Sequence, residues 1–322
     1  MPIHGTALPV LTKVAQVRQL LPEQARLGYP VRLRAVVTYY HSDERDLFIQ
    51  DETAGIWVDP SAVQLPLHPG QLVEVEGVSG PGDFASEVTK ARFRVVGQAP
   101  MPAPQRVSGE ELASGRQDSQ WVEVEGVVRS ASERQGRLAL QVASGAVQFP
   151  AFVLNHSGIP PGIVDAKVRI LGVSGGVYNP KNQLIGMEVV VPALDEVVVE
   201  QAGPRDLFSL PVRPIHILLR TSAQGAFSHR IRVQGVVTLH RAGRLLFIRD
   251  DHDGLLVQTN QLSPVTVGDR VDVIGFPALG EYTPIMEDAI FRRIGSGAAP
   301  DPVRLTAEQA LKGAYDAELV RI

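Results

Sequence analysis

The sequence predicts an all-β protein of tandem five-stranded OB-fold (Greek-key) barrels joined by short helical leaders and Pro-rich linkers. Three observations carry that reading: one alternating strand written three times, a hairpin signal after it, and a strand ending in glycine at nearly constant spacing beyond.

The recurring strand is Val31-Arg-Leu-Arg-Ala-Val-Val-Thr38, then Val122-Glu-Val-Glu-Gly-Val-Val-Arg129, then Ile231-Arg-Val-Gln-Gly-Val-Val-Thr238. Apolar and polar positions alternate before a short apolar run, as in a strand with one face on a core. The hairpin follows as Leu47-Phe-Ile-Gln-Asp51 with Gly55-Ile-Trp-Val58, and again as Leu246-Phe-Ile-Arg-Asp250 with Gly254-Leu-Leu-Val257. Between the runs, Asp can bond nearby backbone N–H groups and Gly tolerates positive φ, so both supply turn chemistry. The next strand is Gly70-Gln-Leu-Val-Glu-Val-Glu-Gly77, matched by Gly268-Asp-Arg-Val-Asp-Val-Ile-Gly275 and, less closely, by Asp165-Ala-Lys-Val-Arg-Ile-Leu-Gly172. Counted from Ala35, Gly126 and Gly235, its terminal glycine lies 42, 46 and 40 positions on. A closing strand, Val88 to Val96 and Ala289 to Ile294, puts Phe93 and Phe291 each 16 positions after that glycine. Five short strands with a Pro-containing connector, Pro60 to Pro69, favour an OB barrel over an SH3-like one.

Capping-box patterns at Ser108-Gly-Glu-Glu111 and Thr306-Ala-Glu-Gln309 each predict a short helix leading into the next barrel. The run Pro100-Met-Pro-Ala-Pro104 is a stiff spacer, and a longer link spans Pro204 to Leu219. The expected domains are 1–100, a leader helix and first barrel; 101–202, the second barrel; 203–300, the link and third barrel; and 301–322, a leader with the first strand of a fourth repeat. Because Leu319-Val-Arg-Ile322 reads as that first strand again, the chain is expected to be a fragment of something longer.

Apolar residues make up 44% and charged residues 20%, the balance of a chain that folds around cores. Thirty-one basic residues against 35 acidic ones give a net charge of −4, so the cationic excess of a nucleic-acid binder is missing and such a partner is not expected. With no cysteine, disulfides, thiolate metal sites and a Cys nucleophile are excluded. No apolar run reaches the length of a membrane helix, and Met1-Pro2-Ile3-His4 lacks the layout of a signal peptide. Glycine-rich phosphate loops, Gly-x-Ser-x-Gly elbows and His-Glu-x-x-His motifs are also missing, so neither enzyme activity nor a cofactor is expected.

Period-two alternation points Leu47, Ile49, Ile56 and Val58 into the first barrel and Phe48, Gln50 and Trp57 out of it. Tyr40, Phe48 and Trp57, with Arg32 and Arg34 beside them, are therefore the candidate ligand-binding residues, on the face where OB-folds hold oligonucleotides or oligosaccharides. The competing expectation is that this outward pair packs against a leader helix or a neighbouring barrel, because exposed aromatic pairs need cover. Asp250, Asp251, His252 and Asp253 carry oxygen and imidazole groups that a divalent cation could use, but they sit in a hairpin turn where Asp is ordinary, and no metal is expected.

The text of residues 36–40 and 47–58 resembles repeats in the extracytoplasmic sensor regions of certain bacterial sensor histidine kinases. The link Phe208-Ser-Leu-Pro-Val-Arg-Pro-Ile215, with Gly225-Ala-Phe-Ser-His229 and Gln234-Gly-Val-Val-Thr238, is similar to the same regions. The resemblance implies a periplasmic, non-catalytic sensing or spacing fragment of an inner-membrane receptor. Its implied partners are an unidentified small-molecule or carbohydrate signal, the membrane segment and kinase of the same parent chain, and a second copy in a homodimer. The alternative is a single-stranded nucleic-acid-binding OB-fold protein, which would place the chain in the cytoplasm.

Overall fold

The computed structural model describes residues 8–62, 66–82, 85–179, 181, 183–221 and 229–322. Parts of two expectations lie outside the described residues: 63–65 of the Pro60–Pro69 connector and 225–228 of the similarity segment.

Each repeat folds as a five-stranded β-unit with a leader in front of it. The first has helices α1 (Val14–Arg18) and α2 (Pro22–Ala25), then strands β1 (Pro30–His41), β2 (Asp46–Gln50), β3 (Gly55–Trp57), β4 (Gln71–Gly80) and β5 (Glu87–Gln98). The second has β6 (Gln105–Val107) and α3 (Gly109–Ala113), then β7 (Trp121–Arg134), β8 (Arg137–Ser144), β9 (Val147–Asn155), β10 (Lys167–Tyr178), β11 (Leu184–Ala193) and a trailing β12 (Val197–Gln201). The third has α4 (His216–Thr221), then β13 (Ile231–Arg241), β14 (Leu245–Arg249), β15 (Gly254–Gln258), β16 (Asp269–Ala278) and β17 (Ile285–Ser296). After it come β18 (Val303–Arg304), α5 (Ala307–Ala310) and β19 (Val320–Arg321).

The third unit is a closed barrel, ordered β13-β14-β15-β17-β16. The first has the same neighbours, β3-β2-β1-β4-β5, and its edges meet in a parallel bridge from Val58 to Val88. In the second, β7 pairs with both β8 and β10 while β9 runs parallel to β11, which completes the same circuit. Alternation explains the interiors: Leu33, Val37, Leu47, Ile49, Ile56, Val73 and Val75 fill the first unit, and Val233, Val237, Leu246, Ile248, Leu255, Val271 and Val273 the third. The glycine expected to end the fourth strand lies inside it, since β4 runs on to Gly80, and it sits where two backbones touch: a Cβ on Gly77 would lie 2.7 Å from the Thr89 carbonyl oxygen.

Leaders share one plan as well. Each opens with a short parallel pairing onto the first strand of its unit, Leu11 with Val31, Gln105 with Val122 and Val212 with Arg232, and β18 pairs with β19 in the same sense, Val303 with Val320. Both expected capping boxes form: Glu111 N–H donates to Ser108 Oγ (3.1 Å) and Gln309 N–H to Thr306 Oγ1 (3.2 Å).

The chain divides into two compact bodies: one holds the first and second β-units, the other the third with its link and residues 303–321. The Pro100–Pro104 spacer thus runs within one body. No helix among the described residues is long and apolar enough to cross a membrane.

Candidate nucleic-acid interface

A bulge in every first strand decides which side chains share the outer face. Register slips by one residue between Val37 and Tyr39, so the row across three strands is Tyr39–Phe48–Trp57. Tyr40, expected in that row, packs against the apolar core of the first unit instead. The matching rows are Ser130–Gln141–Pro150 in the second unit and Leu239–Phe247–Leu256 in the third.

Phe48 and Trp57 do point out of their unit, but the second unit lies on them. Tyr39 and Phe48 share a cluster with Trp121, Val173 and Val190, and Trp57 packs at its edge. The Tyr39 and Phe48 rings stand 6.4 Å apart and tilted. Of the two uses open to the pair, packing on a neighbouring barrel is the one the fold adopts.

Beside this joint lies a cleft of about 310 Å³ flanked by Phe48, Trp57, Arg18, Asp46, Asp118 and Glu188. Burial, reinforced by the charge of Glu44, raises the Asp46 carboxyl, while Arg137 and a bond from the Trp57 side chain oppose the rise. Glu188 is pushed up to about 7, first by burial and then by the charge of Asp46. Carboxylates so arranged repel a polyanion.

Arg32 and Arg34 face elsewhere, onto the outer side of β1, β4 and β5. There the register sets Arg32 opposite Glu76 and Glu76 opposite Arg92; one step on, Arg34 faces Glu74 and Glu74 faces Arg94. Arg32 Nε lies 3.0 Å from Glu76 Oε1, and Arg94 pairs with Glu74. Each row sets one carboxylate between two guanidiniums, Glu76 pairing with Arg32 and Glu74 with Arg94, and so carries one uncompensated positive charge. The Arg32 and Arg94 side chains are 71% and 73% exposed, so these pairs are weak and exchangeable.

Equivalent faces of the other units are neutralised or covered. In the second, Arg106, Lys167 and Arg169 are matched by Glu123, Glu125 and Glu200. In the third, fully buried Asp272 takes both Arg232 (2.7 and 2.8 Å) and Arg292 (3.1 and 3.0 Å). Arg232 also donates to the carbonyls of Phe208 (2.6 Å) and Leu210 (3.0 Å), and Arg292 lies 4.0 Å over the Phe208 ring. The Phe208–Pro214 link is thereby latched onto this face. Arg92 and Arg94 escaped the sequence reading, although the alternation Lys90-Ala-Arg-Phe-Arg94 opposite Glu74-Val-Glu76 carried the signal.

The hairpin aspartates organise turns and leaders. Asp250 Oδ1 accepts from the N–H groups of His252 and Asp253, and Oδ2 from that of Ile215 just before α4. Burial works against its charge, but these N–H groups hold its carboxyl below the usual range. Asp51 makes the matching hydrogen bonds, its Oδ1 accepting from the N–H groups of Thr53 and Ala54 and its Oδ2 from that of Val14 at the start of α1. The second unit lacks this Asp and reverses the contact, α3 sending Glu110 Oε1 to the Ala146 N–H (3.3 Å).

No family model matches the chain, and no curated protein does. Solved structures do. A murine DNA-binding protein bound to double-stranded DNA is 12% identical, with 54% of this chain and 99% of that one covered at a TM-score of 0.28. A HINa domain in complex with double-stranded DNA is 14% identical, with 53% and 95% covered at 0.22. An OBody bound to hen egg-white lysozyme is 14% identical, with 32% and 100% covered at 0.24. Two of these were solved with double-stranded DNA, which corrects the expectation, drawn from net charge, that nucleic acid is no partner. Net charge averages over the whole chain and hides the arginine face of the first unit. The chain is mostly β-sheet, with OB-fold-like neighbours.

Proposed function

We propose that the chain is a nucleic-acid-binding protein of tandem five-stranded OB barrels, and that the Arg32–Arg34–Arg92–Arg94 face of the first barrel holds the phosphate backbone. The observation that carries this reading is the pair of Arg–Glu–Arg rows across β1, β4 and β5, solvent-facing and net positive, where the other two units are neutral or covered. Rows two residues apart on a strand are spaced by about 6.6 Å, so the guanidiniums form a short track for successive phosphates. The glutamates keep these arginines extended until phosphate displaces them.

The rings that a single-strand reader would stack upon are covered by the second unit. The face therefore reads charge and not bases, and duplex, with its denser charge, binds at least as tightly as a single strand. The sensor-region reading rests on sequence resemblance and gains no residue from this geometry.

Fluorescence anisotropy with labelled 20-mers, single-stranded and duplex, tests the proposal. Binding should weaken with salt at a log–log slope of about −2 to −4. The double reversal Arg32→Glu/Arg94→Glu should lower affinity by about tenfold or more and flatten that slope. Equal affinity in the reversed variant at every salt concentration would overturn the assignment.

A further inference from the structure

We infer that the outer row Leu239–Phe247–Leu256 of the third β-unit is a docking face, and that its occupant is another β-unit of this same kind. The chain contains its own precedent. At the equivalent place on the first unit, Tyr39–Phe48–Trp57 is covered by Trp121, Val173 and Val190 of the unit that follows.

The approach to the two rows is built alike. Residues 115–120 run over the first hairpin and residues 313–318 over the third. Gly115 and Gly313 both take left-handed φ, 72° and 71°, and so do Ser119 and Ala317, at 64° and 62°. The carbonyl oxygens of Ser119 and Ala317 press so close on Gly55 and Gly254 that an added Cβ would meet them at 2.0 and 2.2 Å. Gln120 then bonds the backbone of Gly55, whereas Glu318, its counterpart, pairs with Arg249 at 3.2 Å. Beyond this point β19 already pairs with β18 as β7 pairs with β6. The leader path that carries the second unit onto the first thus has its counterpart on the third.

The rows differ in what lies on them. Tyr39 is wholly buried and Phe48 nearly so; Leu239 is 40% exposed, and Phe247 and Leu256 are half-buried. Leu279 and Tyr282 are exposed on the β16–β17 connection, the counterpart of the β4–β5 connection whose Ala85 and Ser86 border the joint of the first body. The polar row of the second unit, Ser130–Gln141–Pro150, shows that an apolar row is not required by the barrel itself. Apolar side chains here fit a partner that presents a flat apolar patch.

The test uses the full chain, whose lack of cysteine lets Leu239→Cys report access to the row without background. A copy of residues 122–201 is joined after residue 319, with Leu319→Trp supplying the counterpart of Trp121. The graft should fold, and the thiol at position 239 should react with a water-soluble disulfide reagent at least about tenfold more slowly than in the ungrafted chain. An unfolded graft, or a folded graft with an equally reactive thiol, overturns the proposal. In the ungrafted chain Phe247→Glu should leave the melting temperature nearly unchanged while Phe48→Glu lowers it steeply; equal losses would make the row internal and also overturn it. Protection that appears in the ungrafted chain as its concentration rises would supply the occupant as a β-unit of a second copy and support the proposal, whereas protection by lipid vesicles would assign the face to a membrane and refute it.

Discussion

Gln120 brackets the backbone of Gly55. Its amide oxygen accepts from the Gly55 N–H at 2.9 Å and its amide nitrogen donates to the Gly55 carbonyl at 3.2 Å, so a side chain from one β-unit completes the edge of the hairpin in another. Gln50 reaches the other way, its oxygen accepting from the Trp121 N–H at 2.8 Å.

Gly55 has no room for a methyl group, since a Cβ would lie 2.0 Å from the Ser119 carbonyl oxygen and 2.9 Å from its carbon. Gly55→Ala should therefore cost about 2–3 kcal/mol in urea unfolding of the first body. Gly186→Ala, at a position with nothing within 4 Å, is the control and should cost less than about 1 kcal/mol.

Removing the bracket strands two buried backbone groups. Gln120→Ala should destabilise by about 2 kcal/mol, as the Gly55 N–H and carbonyl lose partners that water cannot replace. Amide hydrogen exchange at Gly55 should speed up well before global unfolding.

The acidic cleft makes stability fall with rising pH. Glu188 titrates near 7 in the fold and near the ordinary carboxylate value when unfolded, so between those points the folded state holds the extra proton. Stability drops as pH climbs through that window, and the penalty is complete above about pH 7. Asp46, also raised, acts in the same direction. Glu188→Gln should raise stability at pH 8 by on the order of 1 kcal/mol and change little at pH 4, as read from melting temperature across the range.

Asp272 is a fully buried carboxylate held by two guanidiniums, so removing one leaves charge uncompensated. Arg232→Met should cost about 3–5 kcal/mol and free the Phe208–Pro214 link to protease, while Arg232→Met/Asp272→Leu should recover most of the loss. Limited proteolysis and chemical unfolding check the two halves of this prediction.

The strands and hairpins could be read from the chain because a two-residue period records which side of a strand meets the core; the expected Leu47–Val58 and Leu246–Val257 hairpins form with their inward residues buried. That period cannot see a one-residue bulge, which is why Tyr39 and not Tyr40 stands beside Phe48. Nor does alternation say what lies beyond an outward face: Phe48 and Trp57 point out but meet another β-unit. Arg32 and Arg34 were visible as outward cations, yet their partners across β4 and β5 depend on register, which joins residues 40 to 60 positions apart. The Asp272 network was hidden for the same reason, since its members come from β13, β16, β17 and the link.

The two leader joints are sealed differently. Where residues 115–120 meet the first hairpin the seal is a pair of neutral amides, Gln50 and Gln120, with the Arg18–Asp118 ion pair beside it; where residues 313–318 meet the third hairpin the seal itself is ionic, Arg249 and Glu318. Trading one leader for the other would bury a lone carboxylate at the first joint and abandon a guanidinium at the last, so neither hairpin accepts the other's leader. The side chains at each joint thus match a leader to its own hairpin, and repeats that share one architecture keep distinct seams.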